Sequence, residues 1–144
     1  MIEQDTIKLL RECDAGVKMG ASSIGDVLEY AHAPTLRRLL SDCRAEHDRL
    51  DHEIQGQLDR FQDEGREPSA ISKKMAEMGT KMKLAVHGTD SAIAELMTDG
   101  CNMGVKSLSR YLNQYQAADE RSKDVAKRLI ALEAQLAVDM RAFL

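Results

Sequence analysis

The hexapeptide CDAGVK at residues 13–18 returns as CNMGVK at residues 101–106. Both copies lie in stretches whose apolar residues recur every three or four positions, which is the spacing of one face of an α-helix. A second stretch of the same kind follows each copy. The repeat therefore predicts a duplicated helical hairpin, with four long amphipathic helices.

Apolar spacing sets the bounds of the predicted helices, at about residues 3–30, 34–63, 90–116 and from 118 to the end of the chain. Pro34 suits the first turn of the second helix, where its missing N–H leaves no hydrogen bond unmade. Thr89 is a candidate N-cap for the third helix. No alternation typical of a half-buried strand occurs, so the predicted fold class is all-α.

The segment between the two hairpins determines the order of the helices. A helix of about 27 residues is about 40 Å long, so a short loop cannot return the chain to the far end of the bundle. Residues 64–89 are long enough to do so, and they contain a predicted short helix from Ser69 to about Val86. We therefore predict one domain, residues 1–144, that folds as an up-down-down-up bundle with hairpin 3–63, crossover 64–89 and hairpin 90–144.

Glycines four residues apart occur in both copies of the repeat. A glycine inside a helix costs about 1 kcal/mol relative to alanine, so some other interaction must offset this cost. Close approach of two helix backbones is the simplest reason. We predict that the first and third helices cross at these helix-packing positions, which are Gly16, Gly20, Gly100 and Gly104.

The composition excludes several classes of function. A net charge of -4 argues against nucleic-acid binding, which requires a surplus of Lys and Arg. No apolar run approaches the length of a membrane helix, and the N-terminus lacks the basic and apolar regions of a signal peptide. We therefore expect a cytoplasmic protein without a transmembrane segment. No Gly-rich phosphate loop, nucleophile elbow or HExxH motif occurs, so we expect no catalytic residues.

The chain has three cysteines and no CxxC pair, which disfavours a disulfide framework or a zinc ribbon. Each cysteine lies in an apolar helical pattern and is interpreted as a small buried hydrophobe. A redox sensor that uses Cys13 and Cys101 is an alternative, and it requires both thiols to become accessible.

Several segments carry a family resemblance. The run EGREP at residues 64–68, the segment rich in Lys and Met that follows it, GTDSAIAELMTDG at 88–100 and CNMGVK resemble the uncharacterised bacterial proteins grouped as domain of unknown function 2383. That grouping is ferritin-like. The resemblance implies a ferritin-like four-helix bundle with a long crossover between its second and third helices.

The resemblance also implies a metal site that this chain lacks in part. Ferritin-like carboxylate proteins place a Glu on each of two helices and Glu-x-x-His on each of the other two. Here Glu46 is followed three residues later by Arg49, and Glu133 by Leu136. The inward positions beside the glycines hold Val17 and Val105, which offer no lone pair to a metal. We therefore expect a degenerate diiron site.

The run EHDRLDHE at residues 46–53 contains the strongest candidate for a polar core group. His47 lies on the apolar side of the second helix, and Asp14 faces inward from the first helix. We interpret His47 as a neutral core histidine that is hydrogen-bonded to Asp14. The alternatives are a proton-transfer role for His47 or a metal site whose candidate ligands are Asp14, Glu46 and His47, with iron as the ion.

The predicted crossover helix is the candidate interaction surface. Its methionines share one face and its lysines surround them, a pattern that suits an adaptable interface with a protein partner, a second copy of the chain or an anionic surface. The alternative is that the methionines only cover the bundle. The interface candidates are Lys73, Lys74, Met75, Met78, Lys81, Met82 and Lys83.

These observations favour a function that depends on binding. We expect a non-enzymatic ferritin-like bundle that acts by self-association as a homo-oligomer or by binding a protein partner, and that holds no cofactor. The alternative is a divergent ferritin-like protein that binds iron and takes part in iron or oxidative-stress handling.

Overall fold

A computed structural model describes residues 2–68 and 88–144. In these ranges the chain forms α1 (Ile2–Leu28), α2 (Pro34–Asp59), α3 (Asp90–Gln114), α4 (Glu120–Met140) and a 3-10 helix (Arg141–Phe143). No strand occurs in the same ranges, so the predicted all-α class with four long helices is confirmed. None of these four helices combines the length and the apolar character that a membrane crossing requires. The short helix predicted within the crossover lies outside the described residues.

Local signals determine where the helices begin. Pro34 occupies the first turn of α2, as predicted. The Thr89 side chain accepts a hydrogen bond from the backbone N–H of Ala92 and caps α3, which confirms the predicted N-cap. Asp119 caps α4 in the same way, with its carboxylate 2.8 Å from the backbone nitrogen of Ser122.

The end of α2 differs from the prediction. The helix ends at Asp59, and its predicted continuation to about residue 63 is wrong. Gln62 adopts a left-handed backbone with φ of 54°, and the N–H of Asp63 donates to the carbonyl of Leu58 at 3.1 Å. This turn satisfies carbonyls at the helix end and prevents a further helical turn.

Hydrogen bonds join the helix ends at both ends of the bundle. The Asp90 carboxylate at the start of α3 accepts from the backbone N–H of His32 at 2.8 Å and of Ala33 at 2.9 Å, in the turn between α1 and α2. At the opposite end, Thr6 accepts from the backbone N–H of Asp119 at 2.9 Å. The start of α1 therefore lies beside the turn between α3 and α4.

The buried apolar residues form two clusters, which we call the upper core and the lower core. The upper core contains residues such as Ile24, Leu40, Ile93 and Met140. The lower core contains residues such as Leu10, Ile54, Leu108 and Val125. Along each helix the two clusters are separated by a short interval, and the four intervals lie at the same level of the bundle.

Candidate functional site

The level between the two cores has one characteristic residue from each helix. α1 contributes Gly20, α2 contributes His47, α3 contributes Gly104 and α4 contributes Glu133. We call these four residues the middle layer. The middle layer therefore consists of two buried polar side chains, those of His47 and Glu133, and two glycines, which have no side chain.

His47 and Glu133 form a buried hydrogen-bonded pair. The His47 side chain is 1% exposed, and its Nε2 lies 2.7 Å from Oε1 of Glu133. Its Nδ1 lies 2.8 Å from the backbone carbonyl oxygen of Cys43, one turn earlier in α2. Both ring nitrogens therefore face acceptors, and each must carry a hydrogen to donate to its acceptor.

The hydrogen bonds favour a charged imidazolium. Burial alone lowers the pKa of His47, but the hydrogen bonds to Cys43 and Glu133 and the charge of Glu133 outweigh burial and raise the pKa to about 10. The sequence-based interpretation of His47 as a hydrogen-bonded core residue agrees with this geometry. The expectation that His47 is bonded to Asp14 is wrong, because its partners are Glu133 and Cys43. The expectation that it is neutral also disagrees with the geometry, because both ring nitrogens face acceptors.

Gly20 leaves the room that the pair occupies. A Cβ atom at this position would lie 2.5 Å from Nε2 of His47 and 3.0 Å from Oε1 of Glu133. A Cβ at Gly104, across the layer, would lie 3.6 Å from Oε2 of Glu133, which is ordinary contact. The Glu133 carboxylate therefore lies between the two glycines, with Oε1 towards His47.

Close approach of the α1 and α3 backbones, the predicted reason for the glycines, does not describe their surroundings. The atoms nearest to a Cβ at Gly16, Gly20 or Gly104 belong to side chains, and among the described residues a Cβ at Gly100 meets nothing within 4 Å. All four glycines instead line one cavity between α1 and α3. Of the four, Gly100 leaves open space, whereas His47 and Glu133 occupy the space beside Gly20.

The cavity has a volume of about 600 Å³. That value lies in the usual range of small-molecule sites, which are concave and mostly apolar with a few polar groups. Its described walls include Met19, Met97 and Leu108, and His47 and Glu133 also line it. At its rim, Arg66 forms an ion pair with Glu12. The middle layer thus borders an apolar cavity that contains an acid and a base.

The cysteines are buried free thiols. Burial, followed by the charge of Glu133, raises the pKa of Cys101, which also lines the cavity and hydrogen-bonds Glu133. Burial also raises the pKa of Cys13 to about 12. A raised pKa lowers the thiolate fraction, so these environments oppose a redox sensor at Cys13 and Cys101.

Asp14 is fully buried but belongs to a different group of residues. Its carboxylate accepts from Gln55 Nε2 at 2.5 Å, from Lys18 Nζ at 3.2 Å and from the backbone N–H of Arg66 at 2.9 Å. The three donors come from α2, α1 and the segment after α2. Asp14 therefore anchors that segment to the bundle.

The candidate metal ligands are not brought together. Asp14 is bonded to the donors just described, His47 is bonded to Glu133, and Glu46 is exposed and paired with Arg49. Across residues 2–68 and 88–144, no three His, Cys, Asp or Glu side chains are arranged to hold a metal ion. The described residues do not fit the dimetal centre that a ferritin-like fold implies.

The interface candidates of the crossover lie outside the described residues. Lys73, Lys74, Met75, Met78, Lys81, Met82 and Lys83 therefore remain sequence-based predictions. A measurement of oligomeric state by light scattering, on the wild type and on a variant that reverses the four lysine charges, tests them.

Glu133 is the site residue that the sequence reasoning missed. The sequence carried a signal for it, because Glu133 lies four residues after Leu129 and three before Leu136, on the apolar stripe of α4. A carboxylate on such a stripe faces the core and requires a partner.

No family model, curated protein or solved structure matches this chain. An apolar cavity with a buried acceptor suits ligand binding. The buried thiol of Cys101 is a poor nucleophile because its pKa is raised.

Proposed function

We propose that this chain is a non-enzymatic ferritin-like bundle that acts by binding, and that the cavity beside the middle layer is its binding site. The observation that carries the proposal is a cavity of about 600 Å³ bordered by the buried His47–Glu133 pair. Buried charged pairs are costly to desolvate, so a fold that needed only stability would gain little from this one. A cavity with a few convergent polar groups is the usual form of a ligand site.

Contacts at the helix ends support the ferritin-like order of the helices. Asp90 begins α3 beside the turn that ends α1, and Thr6 near the start of α1 binds Asp119 at the start of α4. An up-down-down-up bundle with a crossover along its length accounts for both contacts. The proposed membership in the family grouped as domain of unknown function 2383 is supported by the segments that resemble it.

The proposal includes no metal ion, and the separation of the candidate ligands supports this part. Elemental analysis of protein purified without a metal-chelating tag, before and after anaerobic loading with ferrous iron, tests it. We expect less than one tenth of a metal ion per chain. One or two ions per chain would contradict the proposal and restore the iron-binding alternative.

A glycine substitution tests the cavity directly. Gly100 lines the cavity, is exposed, and among the described residues has no atom within 4 Å of an added Cβ, so Gly100→Leu fills space without a clash at its Cβ. Gly56→Leu is the matched control, because Gly56 is also exposed and open but is not a cavity residue. Both changes increase helix propensity to the same extent.

Binding of the uncharged fluorescent dye 1-aminoanthracene is the readout. We expect Gly100→Leu to weaken dye binding at least tenfold and Gly56→Leu to leave it unchanged. Circular dichroism checks that both variants fold. Equal dye binding by all three proteins, or none by the wild type, would overturn the assignment of the cavity as the binding site.

The remaining parts of the proposal rest mainly on sequence. We propose a cytoplasmic location, supported by the three buried free thiols. Self-association, the other mode of action predicted from the sequence, is part of the proposal and is tested by the light-scattering measurement.

A further inference from the structure

We infer that the cavity binds an uncharged, mainly apolar molecule with one hydroxyl group, and that this hydroxyl donates a hydrogen bond to Glu133. The inference rests on the proposed function, because it specifies the chemistry of a ligand for the same cavity. It follows from the charge balance of the cavity, from the type of polar atom it presents and from the side chains of its walls.

The charges that line the described part of the cavity already balance. The imidazolium of His47 faces the Glu133 carboxylate, and the guanidinium of Arg66 faces Glu12. A charged ligand would lose its hydration and find no unpaired counter-charge among these described lining residues. Balanced pairs therefore select against ammonium and carboxylate ligands alike and favour an uncharged one.

Glu133 presents an acceptor to the cavity. Its Oε1 is bonded to His47, and its Oε2 lies on the side of Gly104, 3.6 Å from the position of a Cβ on that glycine. A carboxylate accepts hydrogen bonds and donates none. The thiol of Cys101 also hydrogen-bonds Glu133, but a thiol is a weak donor that a hydroxyl can replace. A ligand that only accepts hydrogen bonds would meet repulsion at this oxygen.

Sulfur-containing side chains determine the choice of probe. Met19, Met97 and Met103 line the cavity, and methionine sulfur makes favourable contacts with aromatic rings. Methionine side chains also adapt to irregular shapes, because they are unbranched. A phenol with a short alkyl chain combines an aromatic body with one hydroxyl and is the simplest probe of the inferred class.

The experiment compares four probes that share a butylphenyl body. They are 4-butylphenol, its methyl ether, 4-butylbenzoate and 4-butylbenzylamine, which differ only in the polar group. Displacement of 1-aminoanthracene gives the affinities, and the ¹³C-methyl resonance of Met97 reports occupancy of the cavity. We expect the phenol to bind about tenfold or more tightly than the ether, because of these two probes only the phenol donates a hydrogen bond to the charged acceptor. We expect both charged probes to bind more weakly than the phenol.

Two variants complete the design. Glu133→Gln should bring the affinities of phenol and ether to within about threefold, and Gly100→Leu should abolish the Met97 shift for every probe. The probe series in the wild type is decisive even if Glu133→Gln does not fold. Equal binding of phenol and ether, or tighter binding of a charged probe, would overturn the inference and leave the cavity as a binding site. Absence of any Met97 shift in the wild type would instead overturn the proposed function.

Discussion

The middle layer shows how a single missing side chain supports a buried polar pair. Gly20 and Gly16 lie one turn apart on α1 and have the same intrinsic cost in a helix. Their surroundings differ, because a Cβ at Gly20 would overlap His47, whose ring is held by hydrogen bonds at both nitrogens. A Cβ at Gly16 would touch Leu108 and Leu129 at 3.8 and 3.9 Å. Glycine is therefore required at only one of the two positions.

Alanine substitutions separate these two roles. We expect Gly16→Ala to stabilise the protein by up to about 1 kcal/mol through helix propensity. We expect Gly20→Ala to destabilise it by about 1–3 kcal/mol, because the added methyl group would displace the His47 imidazole, which is held by hydrogen bonds at both nitrogens. Urea denaturation measures both free energies of unfolding. A stabilising Gly20→Ala would contradict the tight packing of Gly20 against His47.

The raised pKa of His47 makes stability depend on pH. A pKa of about 10 in the folded state means that this group stabilises the fold fully below pH 6.5, its unfolded value, and that the contribution is lost as pH rises towards 10. We expect the wild type and His52→Leu, which removes an exposed histidine, to lose a few kcal/mol between pH 6.5 and 9.5. The double variant His47→Leu/Glu133→Leu should lose much less. Parallel curves of the free energy of unfolding against pH for all three proteins would show that His47 is not the titrating group.

At the scale of elements, Asp14 fastens the segment after α2 to the bundle. Gly65 adopts a φ of 82°, and a Cβ there would overlap Oδ2 of Asp14. The left-handed turn allows the backbone N–H of Arg66 to reach that carboxylate. The segment is thus held by a buried acceptor and by the close approach that glycine permits.

Removing this anchor should expose the segment to protease. We expect Asp14→Ala and Gly65→Ala each to speed tryptic cleavage after Arg66 at least fivefold, because the hydrogen bond to Asp14 is lost or strained. Asp48→Ala, an exposed change on α2, is the control. Mass spectrometry identifies the cleaved bond. An unchanged cleavage rate would mean that other contacts hold the segment.

The helices were more predictable than the contacts between them. Periodicity and caps are local, so Pro34 and Thr89 marked helix starts correctly, whereas α2 ended early at a backbone turn around Gln62 that periodicity does not encode. His47 was correctly expected in the core. Its partner is 86 residues away, and their meeting depends on the level at which each helix lies in the bundle, which spacing within one helix cannot supply.

At the scale of the whole molecule, the polar layer divides the buried apolar residues into two cores. Leu132, beside Glu133 on α4, packs against both clusters, so the division is confined to the level of the His47–Glu133 pair and the cavity. A continuous apolar core would be easier to stabilise, because a buried pair loses hydration that its mutual attraction only partly restores. The division thus favours a role for the pair beyond stability.

Replacing the pair with leucines tests this view. We expect His47→Leu and Glu133→Leu each to cost about 3–5 kcal/mol, because each leaves one buried polar group without its partner. The double variant should recover at least about 2 kcal/mol relative to the sum of the singles, since it leaves no charge unpaired and joins the two cores. Urea denaturation at pH 6.5 gives the four free energies of unfolding. If the two losses were additive, the pair would not act as a coupled unit, and the polar layer would be two separate buried groups. If the double variant matched the wild type in stability yet lost the binding of the phenol probe, the pair would be retained for the ligand.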